Sequence, residues 1–280
     1  WNHTERCLAL LKSSLLGCSH QPQKDSKNLN HYSKMKTFAF LAATAALAQK
    51  KNKNNYNNNN NNYNSGSAYG DPHFMVSSND QPAICFDYNP EANTQIELLR
   101  DPATSLEVMA ETSSSGNLHH EEQVIMSKIT LSTPSGAKIT MDRDGLHLES
   151  AASDVAGEPH PFTGVFEYAD AQIVEHKGAN GGIDRAHIQV GEAVFIIKAT
   201  KKGSMSFAIR EPQGLSPRST GLIGEFLEPN AYTVKFLDED NAEIILNGGK
   251  LDATKKEFHR AAECWVVEDD LAQFNDLIKE

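Results

Sequence analysis

The pentapeptide Gly-Asp-Pro-His-Phe, at residues 70–74, contains a peptide bond that its own side chain can break. The carboxylate of Asp71 can attack the main-chain carbonyl carbon of Asp71, which forms a cyclic anhydride and expels the nitrogen of Pro72. The attack is intramolecular, so the effective concentration of the carboxylate is very high. His73 is placed to protonate the departing nitrogen, because an imidazole can act as a general acid.

The anhydride leaves Asp71 activated, so that water or an alcohol can open it. If the alcohol is a sugar hydroxyl, the upstream peptide becomes an ester on a glycan. The same residues also fit a turn that leads into a first strand, because Gly and Pro both punctuate chains. A second Asp-Pro pair, Asp101–Pro102, is assigned to a turn only, since it lacks the preceding low-complexity segment and the conformational freedom of Gly70.

The first 69 residues divide into three segments by composition. Residues 1–34 show no sustained amphipathic period, and we interpret them as upstream translation that does not belong to the native protein. Residues 35–48 read as a secretory signal peptide, with a basic Lys36, a short apolar run and a small-x-small cut site. Residues 49–69 are Asn-rich and of low complexity, which predicts a disordered tail. An alternative for residues 35–48 is a short buried helix.

The number of cysteines and the balance of charges limit the classes of function that the sequence allows. After removal of the leader only Cys85 and Cys264 remain, and an exported chain would join them in a disulfide, the alternative being two free buried thiols. The chain carries 26 Lys and Arg against 37 Asp and Glu, and all but two of the acidic residues follow residue 69. This acidic balance excludes nucleic acid as a partner, and no apolar run is long enough to span a membrane as a helix.

Residues 70–280 predict one all-β domain. A dozen or so short runs, many with alternating apolar and polar residues, are separated by Gly, Pro, Asn and Ser. This pattern predicts an antiparallel β-sandwich or barrel-like domain. Only the end differs, because residues 269–280 place Leu271, Phe274, Leu277 and Ile278 on one helical face, which predicts a short C-terminal helix.

Five stretches, taken in order, resemble the C-terminal domain of inter-alpha-trypsin inhibitor heavy chains, a relative of the von Willebrand factor type D module. They are GDPHF with ICFDY, IELLRDP, STGLIGEFLEPNAYTV and AECWVV. The resemblance implies secretion, a β-rich domain and a disulfide between the positions of Cys85 and Cys264. It also implies cleavage of the bond between Asp71 and Pro72, with transfer of the new C-terminal Asp to chondroitin sulfate or hyaluronan. The GEFLEPN stretch departs from the calcium-binding pattern of type D modules.

The other candidate motifs give weaker evidence for a functional site. His119, His120, Glu121 and Glu122 lie in a polar run that we assign to a solvated loop, because adjacent strand residues point to opposite faces and no third ligand has a diagnostic spacing. The acidic runs at residues 142–145 and 238–243 fit hairpin turns, and Trp265 is expected to pack over the disulfide. We therefore predict no metal site and no cofactor.

The sequence predicts a secreted extracellular-matrix or surface-coat protein with Asp71, Pro72 and His73 as a self-cleavage site. Its expected partners are an extracellular glycan, bound covalently, and other matrix proteins. The alternatives are a passive structural or adhesive module that is never cleaved, and a secreted enzyme that uses a cleft in the β-sandwich. No nucleotide-binding or nucleophile-elbow motif supports the enzyme alternative.

Overall fold

The computed structural model describes residues 65–70, 72–78, 81–116, 123–150, 160–161, 164–178, 182–200, 202–259, 261–267 and 278–279. All of them belong to one compact unit, Tyr56–Glu280. The proposed upstream segment, the signal peptide and Asp71 itself lie outside the described residues.

The regular secondary structure of the described chain is almost entirely β-strand, which confirms the predicted all-β class. The strands, in chain order, are β1 (Ser65–Tyr69), β2 (His73–Ser77), β3 (Ile84–Asp87), β4 (Gln95–Asp101), β5 (Leu106–Ser114), β6 (Val124–Ser132), β7 (Lys138–Met141), β8 (Leu146–Glu149), β9 (Val165–Tyr168), β10 (Ala171–Lys177), β11 (Ile183–Val190), β12 (Ala193–Ala199), β13 (Met205–Glu211), β14 (Tyr232–Phe236), β15 (Asn241–Leu246), β16 (Gly249–Phe258), β17 (Ala261–Val267) and β18 (Ile278–Lys279). Among the described residues the only helical element is a single 3-10 turn, Gly224–Leu227, and no helix is long and apolar enough to cross a membrane.

The strands form two sheets. The larger has twelve strands in the order β14-β15-β16-β17-β3-β2-β1-β13-β12-β11-β10-β9, and the smaller has six in the order β18-β4-β5-β6-β7-β8. Among the described pairings, only β17 with β3 is parallel, which the antiparallel prediction did not foresee. These two strands are far apart in the chain, so no hairpin forces them into opposite directions.

One hydrophobic core joins both sheets. Alternate positions are buried along β5, as expected of a strand with one face in the core. Phe74 and Phe86 stack at a centroid distance of 5.1 Å at the centre of the larger sheet, and they share a continuous cluster with Leu98 and Ile129 of the smaller sheet. The two sheets therefore pack through these faces, as in a sandwich.

The tail and the C-terminal segment differ from prediction. Ser65–Tyr69, which the sequence assigned to the disordered tail, forms β1 between β2 and β13. Of the predicted C-terminal helix, only Ile278 and Lys279 are described, and they pair with Ile96 and Gln95 at the edge of β4. The helix prediction is wrong for these two residues, because pairing with an open strand edge satisfies backbone groups that a helix end leaves free.

Candidate functional site

The Gly-Asp-Pro sequence forms the connection between β1 and β2. Tyr69 and His73 are the last residues paired between these strands, so the loop consists of residues 70–72. Gly70 has a φ of +71°, a conformation that L side chains rarely adopt and that glycine adopts without strain. Pro72 is buried within the turn and lies in no strand. The peptide bond of interest therefore lies in a three-residue hairpin turn.

Main-chain hydrogen bonds hold this turn from both sides. The amide of Tyr88 donates to the carbonyl oxygen of Pro72 at 3.1 Å, and the amide of Met126 donates to the carbonyl oxygen of Gly70 at 3.3 Å. Tyr88 follows β3, whereas Met126 belongs to β6 of the other sheet. Both residues that flank Asp71 are thus fixed to different parts of the framework.

His73 lies directly beside the turn. Its Nδ1 atom is 2.6 Å from Oδ1 of Asp87, the residue opposite it on β3. The other edge of the ring faces the turn, since Cδ2 of His73 is 3.5 Å from the position that a Cβ atom on Gly70 would occupy. One edge of the imidazole is therefore bound to a carboxylate, while Cδ2 on the opposite edge lies near Gly70.

A second histidine, which the sequence analysis missed, completes the cluster. The ring of His259 stacks on that of His73 at a centroid distance of 3.4 Å, and Nε2 of His259 is 3.9 Å from Oδ1 of Asp87. His259 lies in the turn between β16 and β17 with a φ of +48°. Because its partners come from distant parts of the chain, no sequence spacing could have indicated this cluster.

The disulfide lies beside this cluster. Cys85 and Cys264 are bonded, as predicted, and they link β3 to β17. With Phe258 and Val266 they form a small apolar cluster of their own. The ring of Phe258 meets His73 edge-on at 5.8 Å. The disulfide thus supports the strand that carries Asp87 and the aromatic ring that contacts His73.

Trp265 does not pack over the disulfide as predicted. It belongs to the main core and lies 5.3 Å from the ring of Phe236. Cys264 belongs to the small cluster of the opposite sheet face. Neighbouring residues of a strand point to opposite faces, which accounts for the separation.

The second Asp-Pro pair has a different environment. The carboxylate of Asp101 is fully buried and accepts hydrogen bonds from the amide of Ala103 at 3.0 Å, the hydroxyl of Thr104 at 2.8 Å and the amide of Ser216 at 3.3 Å. A carboxylate held by three donors is a poor nucleophile toward its own carbonyl. The turn that follows Asp101, which the sequence predicted, is present.

The remaining motifs take structural roles where they are described. Residues 142–145 form the predicted hairpin turn between β7 and β8. Of the run 238–243, residues 238–240 lie in the turn between β14 and β15, whereas residues 241–243 already belong to β15. His119, His120, Glu121 and Glu122 lie outside the described residues.

A second pair of histidines lies on the larger sheet. The rings of His176 on β10 and His187 on β11 are 4.6 Å apart, and neither Nε2 atom has a hydrogen-bond partner within the described part of the chain. Burial and, to a smaller extent, the charges of His176, Arg185 and Arg210 together lower the pKa of His187 to about 4. His187 is therefore neutral in the folded protein at pH 7.

His187 should make the fold sensitive to acid. A histidine in the unfolded chain binds a proton near pH 6.5, whereas His187 in the folded chain binds one only near its pKa of about 4. The stability contributed by neutral His187 is therefore complete above pH 6.5 and is lost as the pH falls toward 4. We expect the free energy of unfolding to fall by about 2 kcal/mol between pH 7 and pH 5 from this group. Urea titrations of the wild-type chain and of His187→Phe measure it. Equal pH dependence in the two chains would contradict the prediction.

Sequence comparisons give two distant relatives, both of one class. The chain is 20% identical to inter-alpha-trypsin inhibitor heavy chain H1 of Bos taurus over 70% of its length, and 22% identical to heavy chain H3 of the same species over 71%. It spans about a quarter of the length of each relative, 24% and 25% respectively. No family model matches the chain. The comparisons therefore support a distant relation to these heavy chains.

Proposed function

We propose that this chain is a secreted extracellular protein whose β-domain cuts its own backbone between Asp71 and Pro72. The observation that carries the proposal is the anchored hairpin turn, with the imidazole of His73 held between that turn and the carboxylate of Asp87. The distant relation to the heavy chains, the signal-like residues 35–48 and the disulfide support export.

The reaction begins with the Asp71 side chain. One carboxylate oxygen bonds to the main-chain carbonyl carbon of Asp71, and the bond from that carbon to the Pro72 nitrogen breaks. The nitrogen takes a proton, which the imidazole of His73 can supply, and becomes the new N-terminus. Hydrogen bonds to the carbonyl oxygens of Gly70 and Pro72 restrict the turn to few conformations, which favours an intramolecular attack.

The anhydride on Asp71 then reacts with a nucleophile. Water opens the anhydride to two carboxyl groups, so that the upstream segment, already separated from Pro72, ends in a free aspartic acid. A hydroxyl of an extracellular glycan gives an ester instead, with one proton lost from the hydroxyl. The likeness to the heavy chains favours a glycosaminoglycan such as hyaluronan as acceptor, in contact with other matrix proteins. In the alternative function the bond remains intact and the domain is a structural module.

The intact mass of the purified chain tests cleavage. After incubation at pH 5 and at pH 7, we expect two fragments that meet between Asp71 and Pro72, and we expect Asp71→Ala to abolish them. The second pair is an internal control, because the occupied carboxylate of Asp101 should leave its bond to Pro102 intact under the same conditions. A single unbroken mass at both pH values would reject self-cleavage and favour the structural module.

Recovery of the chain from the culture medium tests export separately. A chain expressed from Met35 in a secretory host should appear in the medium with its N-terminus near Gln49. Retention inside the cell with Met35 still present would reject export without affecting the cleavage chemistry.

A further inference from the structure

We infer that His73, Asp87 and His259 form a binding site for a divalent transition-metal ion such as Zn²⁺. Each residue offers one ligand atom, and the three atoms all lie within 4.8 Å of one another. This site shares His73 with the proposed cleavage, but the binding of an ion requires only these three side chains and does not depend on cleavage at Asp71.

The donor set selects the class of metal. Two imidazole nitrogens and one carboxylate oxygen suit Zn²⁺, Cu²⁺, Ni²⁺ or Co²⁺, whereas Mg²⁺ and Ca²⁺ prefer oxygen ligands alone. Three protein ligands leave a fourth tetrahedral position for water. The acidic chain, with a formal net charge of −11, also favours cations over anions.

The ligand distances are close to those around a bound ion, but the exposed ring of His259, now stacked on His73, must turn so that its plane faces the ion. Around a tetrahedral ion with bonds of about 2.0 to 2.1 Å, neighbouring ligand atoms are roughly 3.3 Å apart. Oδ1 of Asp87 lies 2.6 Å from Nδ1 of His73 and 3.9 Å from Nε2 of His259, values on either side of that separation. The ion would replace the proton between Nδ1 of His73 and Oδ1 of Asp87.

The framework holds one ligand and leaves the others accessible. His73 is 8% exposed and is fixed by strand pairing with Asp87. The side chains of Asp87 and His259 are 44% and 43% exposed, so an ion can reach them from solvent and they can adjust to it. Phe258 lies edge-on against both imidazoles, at 5.8 Å from His73 and 4.6 Å from His259.

The backbone at His259 supports a role for its side chain. A turn residue with a φ of +48° is one where Asn or Gly is favoured, and the comparable turn between β15 and β16 uses Asn247 and Gly248. Histidine at such a position is less common. Its ring stacks on His73, which brings a second imidazole to the carboxylate of Asp87.

The mass of the full chain is verified first. Calorimetric titration of this chain with Zn²⁺ at pH 7.5 then tests the site. His259→Asn keeps a residue that tolerates the turn conformation, and Asp87→Asn keeps the shape of the side chain. We expect the wild-type chain to bind one more Zn²⁺ ion than either variant does. If a variant also binds this ion, the wild-type chain should bind it about a hundredfold more tightly. An excess of Mg²⁺ or Ca²⁺ should not displace it.

His147→Asn is the matched control, because His147 also lies near a carboxylate, that of Asp142 at 3.1 Å, without belonging to a three-ligand group in the described chain. Its tight zinc binding should equal that of the wild type. Thermal melts without metal show that each variant folds. Equal zinc stoichiometry and affinity in the wild type, His259→Asn and Asp87→Asn would overturn the inference, and cleavage measured separately at Asp71 is unaffected by that result.

Discussion

Replacement of Gly221 by alanine is expected to lower the free energy of unfolding by about 3 kcal/mol or more, through steric overlap and backbone strain together. Gly221 has a φ of +98°, and a Cβ atom there would lie 2.7 Å from the carbonyl carbon of Leu98 and 2.8 Å from its oxygen. These are main-chain atoms of a buried strand, which cannot move aside as a flexible side chain would. Chemical denaturation followed by tryptophan fluorescence measures the loss.

Gly248→Ala provides the matched control. Gly248 has a φ of +80°, but nothing lies within 4 Å of the position of its Cβ atom. This variant has the conformational strain alone, about 1 to 2 kcal/mol. If Gly221→Ala cost no more than Gly248→Ala, the close approach of residue 221 to β4 would be wrong.

The same segment connects the two sheets. The amides of Leu222 and Ile223 donate to the carbonyl oxygens of Glu97 and Leu98 on β4, and the side chain of Ile223 packs against Gly66 on β1. Strand β1 leads directly into the Gly-Asp-Pro turn. We therefore expect Gly221→Ala to disturb the candidate site as well as the core.

Loss of the disulfide should have the second large effect on stability. Cys85 and Cys264 are 179 residues apart in sequence, and a loop of that length restricts the unfolded chain strongly. Removal of both cysteines as Cys85→Ala with Cys264→Ala is expected to lower the free energy of unfolding by about 2 to 5 kcal/mol. Denaturation under oxidising conditions measures the difference.

Treatment with a reductant separates the stability contributed by the disulfide bond from that contributed by the packing of the two cysteine side chains. Dithiothreitol should destabilise the wild-type chain and leave the double variant unchanged. If the reductant shifted both chains equally, or neither, the bond would not be the source of the stability. Because Cys85 lies two residues before Asp87 on β3, the same variant should also weaken zinc binding.

Local patterns in the sequence predicted the fold class but not every strand. Alternation in segments such as Leu106–Ser114 directly indicates a half-buried strand, and the structure confirms it. Strand β1 lacks that signal because its residues are small and polar. A Cβ atom on Gly66 would lie 2.3 Å from Cγ2 of Ile223, so small size is a requirement of the packing there.

Strand β16 lacks the alternating pattern for a related reason. Its sequence, GKLDATKKEF, is rich in charged residues, and only Ala253 and Phe258 are buried. Pairing with β15 and β17 places it in the larger sheet. The identity of its neighbours is a tertiary property that a single strand does not encode.

Some residues of the candidate site could likewise be predicted from the sequence, and others could not. The chemistry of the Asp-Pro pair indicates the residues of the turn, and the number of cysteines indicates the disulfide. Asp87, 14 residues along the chain, joins His73 through the pairing of β2 with β3, and His259 joins it through a hairpin turn that lies far from both. The occupied carboxylate of Asp101, which separates the two Asp-Pro pairs, likewise depends on Ser216 from a distant segment.

In the proposed cleavage, the carboxyl of Asp71 forms an anhydride with its own main-chain carbonyl. Incubation with hydroxylamine at neutral pH tests it, because an anhydride captures this nucleophile as a hydroxamate at the new C-terminus. We predict that tandem mass spectrometry will locate the hydroxamate on Asp71, and that Asp71→Ala, which retains the Asn-Gly bonds that hydroxylamine can also attack, will show none at this position. An uncut wild-type chain, or an upstream fragment that ends only in free aspartic acid at saturating hydroxylamine, would contradict the claim.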